Sequence, residues 1–435
     1  MSFLERYFGL EAAGTTVATE VRAGVVTFLT MSYILFVNPQ VLSATGMPAG
    51  DVAVATALAS AAATLVMGLW ANYPFALAPG MGLNAYFTYG IVQGLGVSWQ
   101  IALAGVFVEG ALFLVLSVTG VRAAVMRAIP ASIKIATMCG IGLLLAMIGF
   151  RSAGLIVDHP ATLISLGDVR DPAVGLALLG LLAMSVLASA GVRGAILIGI
   201  SGVAVACWGL GISPPPESFF VLPSLPGETF LALDFAGLLT GKLVVVVFAL
   251  LFVDMFDTAG TLVGVGRLAG FVDERGDLPR ASGAFGADAI GTMVGAVVGT
   301  STITTYGESA TGVEDGGRTG LTSVVTSGLF LVSLFVMPIV TAVPVVATAP
   351  ALILVGAMMM RGALDLEWRE LDEAMPAFLT LTAIPFTHSI ADGISLGIVS
   401  YVAIKFLRGR RKEVRPLMVA LAVLLIAFYA FWKAD

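Results

Sequence analysis

Charged side chains are scarce in this chain: only 11% of its 435 residues are Asp, Glu, Lys or Arg. A soluble globular domain carries about a quarter. With 58% hydrophobic residues and a mean hydropathy of +1.00, the composition excludes a soluble fold and implies an all-α polytopic membrane protein. At about 20 residues per span, its length allows roughly 12 to 14 crossings. Cysteine is nearly absent. Cys139 and Cys207 lie in separate apolar segments and match no CxxC or metal-ligand spacing, so they read as packing residues, and no metal or cofactor is expected. Of the two histidines, His159 is expected in a loop, and His388 stands beside a helix break as a candidate proton relay. No basic stripe exists outside the membrane-flanking loops, so the net charge of −6 points to no nucleic-acid partner. The first 22 residues contain acidic groups and no cleavable apolar region, unlike a signal peptide.

What is present is a succession of apolar segments. Spans are expected at 24–42 (ending at Asn38-Pro39), 51–71, 98–120, 132–150, 173–191 and 194–212. A long external connection is expected at 213–240, with further spans at 243–266, 281–299, 319–341, 348–361 and 416–432. The stretch 72–94 does not read as one helix. Its PFALAP run is extended because of its prolines, and a short helix starting near Gly80 carries Asn84. Residues 300–316 are similarly broken, and 375–407 breaks around 387–393.

Arg122, Arg127, Arg193, Arg267, Arg275 and Arg280 lie between spans and Lys134 at the start of one, and the positive-inside rule then places the N-terminus in the cytoplasm. The two halves look related. Gly68 precedes Gly80 by 12 positions across a helix end and an extended run, and Gly295 precedes Gly307 by the same 12. Seven segments per repeat, an odd number, make the second copy inverted. Interrupted helices at matching positions of inverted repeats point to a transporter's midplane site.

The few buried charges sit near those interruptions. Asp254 and Asp257 share one helical face, and Glu308 follows one hydrophobic segment later. Each would cost about 2.5–3.5 kcal/mol facing lipid, so all three are expected to face a protein-lined cavity. There the half-helices at Pro79–Asn84 and Tyr306–Ala310 offer free backbone N–H groups. Asp257 and Glu308 can accept hydrogen bonds from a ligand, and Asn84 can donate or accept. No Arg or Lys lies within these stretches. Donors and acceptors without a cation suit a flat neutral heterocycle better than a phosphate or a sugar. Asp254 and Asp257 should not both ionise in a dry cavity, which makes proton coupling physically reasonable. Glu109 reads as a group paired between helices, Glu314 and Asp315 as a helix-end cluster, and Asp392 as a helix cap.

The motifs APGMGLNAYF (78–87), FVDMFDTAGTL (252–262), GESATGVEDGGRTGLT (307–322) and PFTHSIADGISLG (385–397) resemble the AzgA-like purine permeases. These are a branch of the nucleobase–cation symporters with the uracil-permease fold. Asp315 departs conservatively, standing where the family run has Glu. The resemblance implies fourteen segments in two inverted repeats of seven, with short strands and half-helices in segments 3 and 10. It implies a core domain (24–120 and 241–343), a gate domain (132–212 and 347–433) and a homodimer in the cell membrane. The implied substrate is a purine nucleobase such as guanine, hypoxanthine or adenine, taken up with protons by an elevator-type movement. The implied substrate-binding residues are Asp257, Glu308, Asn84, Ala78, Gly80, Gly307 and Thr258, with Asp254, Asp257 and Glu308 in proton coupling. Two transport alternatives share the fold: an anion transporter, disfavoured by the carboxylates, and a carrier of xanthine or uracil. An intramembrane prenyltransferase using Asp254 and Asp257 for Mg²⁺ is disfavoured, because no second aspartate cluster and no nearby basic residue exist to hold a diphosphate.

Overall fold

The computed structural model describes residues 3–119, 130–239, 243–272 and 278–431, apart from certain side chains, Asp257 among them. Arg122, Arg127 and Arg275 lie outside the described residues. The helices in chain order are α1 (Phe3–Phe8), α2 (Val17–Met31), α3 (Ile34–Ser43), α4 (Ala49–Val66), α5 (Met81–Ala85), α6 (Trp99–Thr119) and α7 (Ala131–Ser152). There follow α8 (Pro172–Ser189), α9 (Ala195–Gly209), α10 (Phe235–Leu238), α11 (Leu243–Leu268), α12 (Ala281–Val298), α13 (Ser309–Glu314) and α14 (Gly320–Ser333). The last are α15 (Met337–Ala342), α16 (Val345–Met359), α17 (Leu371–Thr387), α18 (Ile390–Leu407) and α19 (Pro416–Phe431). Among the described residues, nine helical spans are long and apolar enough to cross a membrane.

Among the described residues there are four short strands: β1 (Leu77–Pro79), β2 (Ile156–His159), β3 (Leu163–Leu166) and β4 (Ile303–Thr305). The breaks expected at 72–94 and 300–316 are where β1 and β4 form, each running into a half-helix. β1 and β4 pair antiparallel, with Ala78 opposite Thr304. The break expected near 387–393 falls at His388, whose left-handed backbone (φ 53°) ends α17.

Three details differ from the sequence reading. The first span starts at Val17, bends at Ser32-Tyr33 and continues past Pro39 to Ser43, because a proline within a helix removes one backbone bond without ending it. The loop 151–172 holds the β2–β3 hairpin, and His159 lies at the end of β2. The cap of α18 is Ser389, whose hydroxyl accepts from the Asp392 N–H. The Asp392 carboxylate is occupied with the Tyr429 hydroxyl instead.

The chain forms two compact units. The first comprises Met1–Val118 and Ile148–Leu354, and its helices meet at unusually short range. A Cβ on Gly320 would lie 1.9 Å from the Gly68 carbonyl oxygen, a spacing that only glycine allows and that membrane helices use in place of hydrophobic attraction. Beside this crossing, buried Glu20 of α2 accepts from the N–H groups of Arg318, Thr319 and Thr322 and from the Thr322 hydroxyl. It thereby satisfies donors at the start of α14 that a helix leaves open. The second unit comprises Thr119–Met147 and Val355–Asp435. It packs α17 against α18 and buries Lys405 among Asp372, Glu373 and Glu413.

Candidate functional site

The β1–β4 ribbon is where the first unit departs from helix, and a two-stranded ribbon inside a membrane protein has an edge problem. The outer N–H and C=O groups of each strand face no partner strand, and buried backbone groups must be paired. Both halves solve it with one threonine. The Thr64 hydroxyl of α4 donates to the Leu77 carbonyl (3.0 Å) and accepts from the Leu77 N–H (2.9 Å). In the other half the Thr292 hydroxyl of α12 does the same for Ile303, at 3.0 and 3.2 Å. The ladder is extended by Gly80 N–H to the Thr302 carbonyl and Tyr306 N–H to the Ala76 carbonyl, both 3.0 Å. Because the strands are antiparallel, their half-helices α5 and α13 start from opposite ends of the ribbon. Wider π-helical turns flank the first strand at Met67–Ala71 and Tyr86–Gln93, a departure from α-geometry often found at functional sites.

The expected site residues are distributed around this ribbon. Ala78 is fully buried within β1, and Gly80 stands at the start of α5. Asn84 is 1% exposed. Its Oδ1 accepts from the Ser301 hydroxyl, while its Nδ2 has no hydrogen-bond partner. Gly307 is exposed, with nothing within 4 Å of where a Cβ would stand. Beside it, half-buried Glu308 accepts a hydrogen bond from the Tyr33 hydroxyl at 2.5 Å. Asn38 of the same helix as Tyr33 donates to Thr56 (2.7 Å) and Thr300 (2.8 Å), fixing the approach to β4. The Asp257 side chain lies outside the described residues; its backbone belongs to α11.

Thr258 and Asp254 form a second group rather than part of the Glu308 group. The Thr258 hydroxyl lies 3.0 Å from Asp254 Oδ1, 3.1 Å from Asp288 Oδ2 and 3.0 Å from the Thr304 hydroxyl. Glu109 of α6 stands against Asp254, Asp288 and Thr302. All these side chains are buried. Sequence reasoning missed Asp288 and Tyr33 and set Glu109 aside. Asp288 is the only charged residue of its helix, ASGAFGADAIGTMVGAVV, so the same cost argument could have found it. Glu109, likewise the only charged residue in its helix, carried the same signal.

Comparison with known proteins shows the family and the fold. Residues 18–396 match a family model, Xan_ur_permease, described as a permease family. The chain is 41% identical over 438 residues to the adenine permease AdeP of Escherichia coli, covering 99% of this chain and 97% of that one. It is 42% identical over 424 residues to the guanine/hypoxanthine permease PbuO of Bacillus subtilis, covering 96% and 98%. Among solved structures, the transmembrane domain of the cyanobacterial bicarbonate transporter BicA superposes with a TM-score of 0.63 at 13% identity, over 87% of this chain and 97% of that one. At that identity the likeness is one of fold.

Proposed function

The chain belongs to the Xan_ur_permease family, as a multi-pass membrane transporter, and from that premise we propose that it carries purine nucleobases into the cell together with protons. The observation that carries the reading is the pairing of an acceptor with a donor around the β1–β4 ribbon. Glu308 stands beside the open space at Gly307, and Asn84 keeps a buried amide donor without a partner. A purine offers both kinds of edge: ring N–H or amino groups for a carboxylate, ring nitrogens or a carbonyl for an amide. An unmet buried donor is costly, so a ligand that meets it gains specificity against one that cannot. An anion would meet Glu308 as a like charge, which disfavours anion transport despite the shared fold. The names of the similar adenine and guanine/hypoxanthine permeases support the substrate class.

In this reading Asp257 and Glu308 hold the base, with Asn84 and the backbone around Ala78, Gly80 and Gly307 completing its contacts. Thr258 fixes the geometry of β4 from behind. The ribbon and half-helices belong to a core (24–120 and 241–343) that moves as an elevator against a gate (132–212 and 347–433). The gate forms the contact of a homodimer, and the N-terminus faces the cytoplasm.

The test is uptake of radiolabelled hypoxanthine in cells lacking purine permeases, competed with guanine, adenine, xanthine and uracil, with and without a protonophore. Uptake competed by guanine and collapsed by the protonophore is expected for the guanine/hypoxanthine type. Competition by adenine alone assigns the adenine type. Uptake that persists undiminished with the protonophore removes proton coupling, and no uptake of any base removes the nucleobase reading.

A further inference from the structure

Glu109 is a buried charge that the base site does not use. Helix α6 is otherwise without charge, reading WQIALAGVFVEGALFLVLSVT, and its Glu109 is fully buried. The next residue explains how it reaches its neighbours. A Cβ on Gly110 would come within 3.0 Å of Met293 and Thr292 and 3.2 Å of the Ala289 carbonyl, so α6 lies close against α12. The groups facing Glu109 are Asp254 from α11, Asp288 from α12 and Thr302 from the segment leading into β4. None of these is cationic. Neither carboxyl oxygen of Glu109 accepts an aligned hydrogen bond, and the fully buried Thr302 hydroxyl beside it likewise makes none.

Carboxylates packed together in a dry interior cannot all ionise. Where three carboxyl groups abut with only threonine hydroxyls as donors, a bound proton supplies the further donor they need. Thr258 sharpens the point. Its single hydroxyl proton can serve Asp254 or Asp288 but not both, although it lies within 3.1 Å of an oxygen of each. The same hydroxyl touches Thr304 of β4 at 3.0 Å, and Thr304 stands opposite Ala78 in the ribbon. A change of protonation at this cluster is therefore one side chain away from the strands that frame the base site.

We propose that the coupling proton is bound at Glu109, against Asp254, with Asp288 and Thr258 as positioning residues, and that this proton site is separate from the Glu308 base site. The proposal rests on the reading of the chain as a proton-coupled carrier. Loading forms one O–H bond at a carboxyl oxygen, and release breaks it; no electron moves. The ligand is the proton itself, delivered and removed by water on the two sides of the membrane.

The experiment uses full-length protein in proteoliposomes, with four readouts: equilibrium binding of radiolabelled guanine, hypoxanthine and adenine, base exchange without a gradient, accumulation driven by a pH gradient, and the infrared band of protonated carboxyl groups. Glu109→Gln is expected to keep base binding and exchange within about threefold while gradient-driven accumulation falls about tenfold or more. It should also lose a protonated-carboxyl band that wild type and Glu308→Gln both show. Wild-type accumulation by Glu109→Gln, or a band that survives in it, overturns the proposal. If Glu109→Gln does not fold, Glu308→Gln decides: loss of the band there assigns the proton to Glu308 and overturns the proposal, and retention of it supports a separate site. A wild-type protein that binds no base yet shows a Glu109-dependent band separates the two readings, since the nucleobase assignment then fails while the proton site stands.

Discussion

The smallest unit of the proposed base site is one carboxylate and the hydroxyl that holds it. The Tyr33 hydroxyl donates to Glu308 at 2.5 Å, so the acceptor offered to a ligand is oriented by a helix far away in sequence. Replacing Glu308 with Gln keeps the size but puts a donor where a ring N–H needs an acceptor. Uptake is expected to fall at least about a hundredfold, corresponding to about 2.7 kcal/mol, while the protein still runs as a folded species on size exclusion. Wild-type uptake by the variant would take Glu308 out of the site. Tyr33→Phe removes a bond to a charged acceptor, worth about 1.5–3 kcal/mol, and is expected to raise the apparent KM about tenfold or more. An unchanged KM would show that Glu308 holds its orientation without Tyr33. Glu308 could be picked out of the sequence because a carboxylate in an apolar run is costly wherever it stands. Tyr33 could not: its partner is 275 positions away, and a tyrosine in a membrane helix costs little and attracts no notice. Asp288, alone in its apolar helix, was open to the same cost argument; what the sequence could not show is that Glu109 stands against it from another helix.

At the level of elements, the interrupted helices were the most legible feature. Pro74 and Pro79 lie five residues apart, each removes a backbone donor, and the residue before a proline avoids helical geometry, so the PFALAP run was expected to be extended. What the sequence could not supply was the closing of the ribbon's edges, because threonine is common in membrane helices and Thr64 and Thr292 look ordinary. Their paired bonds to Leu77 and Ile303 make them comparable parts of the two halves. Thr→Val at either position keeps the shape and leaves one buried N–H and one buried C=O without partners. Each orphaned group costs about 1–3 kcal/mol. Thr64→Val and Thr292→Val are each expected to lower the melting temperature of the detergent-solubilised protein, and Thr→Ser at the same positions should restore most of the loss. Valine variants as stable as wild type would mean that water or another group seals those edges.

Over the whole molecule, the distribution of the few positive charges gives a testable orientation. Asp315 at the end of α13 is 5% exposed in its side chain and bridges Arg22 and Arg193, at 2.6 and 2.5 Å. The start of α2 and the α8–α9 connection therefore lie on one side of the first unit. The positive-inside rule predicts that side to be cytoplasmic. If the apolar helix α9 crosses, as the span expected at 194–212 requires, residues 213–239, which contain no Lys or Arg, are predicted on the opposite side. In the basic run from Arg408 to Arg415 two arginines are paired: Asp372 takes Arg408 and Arg410, and also Lys405. Neutralised arginines give a weaker orientation signal than a loop count suggests. Single cysteines can settle the matter, since native Cys139 and Cys207 are fully buried and should be silent to an impermeant reagent. Leu222, 83% exposed, and Val192, 38% exposed, lie in the two connections in question. In intact cells a membrane-impermeant maleimide is expected to label Leu222→Cys, and to reach Val192→Cys only after permeabilisation. The reverse pattern would turn the chain over and place its N-terminus outside. Labelling of both from the outside would mean that α9 does not carry the chain across the membrane between them.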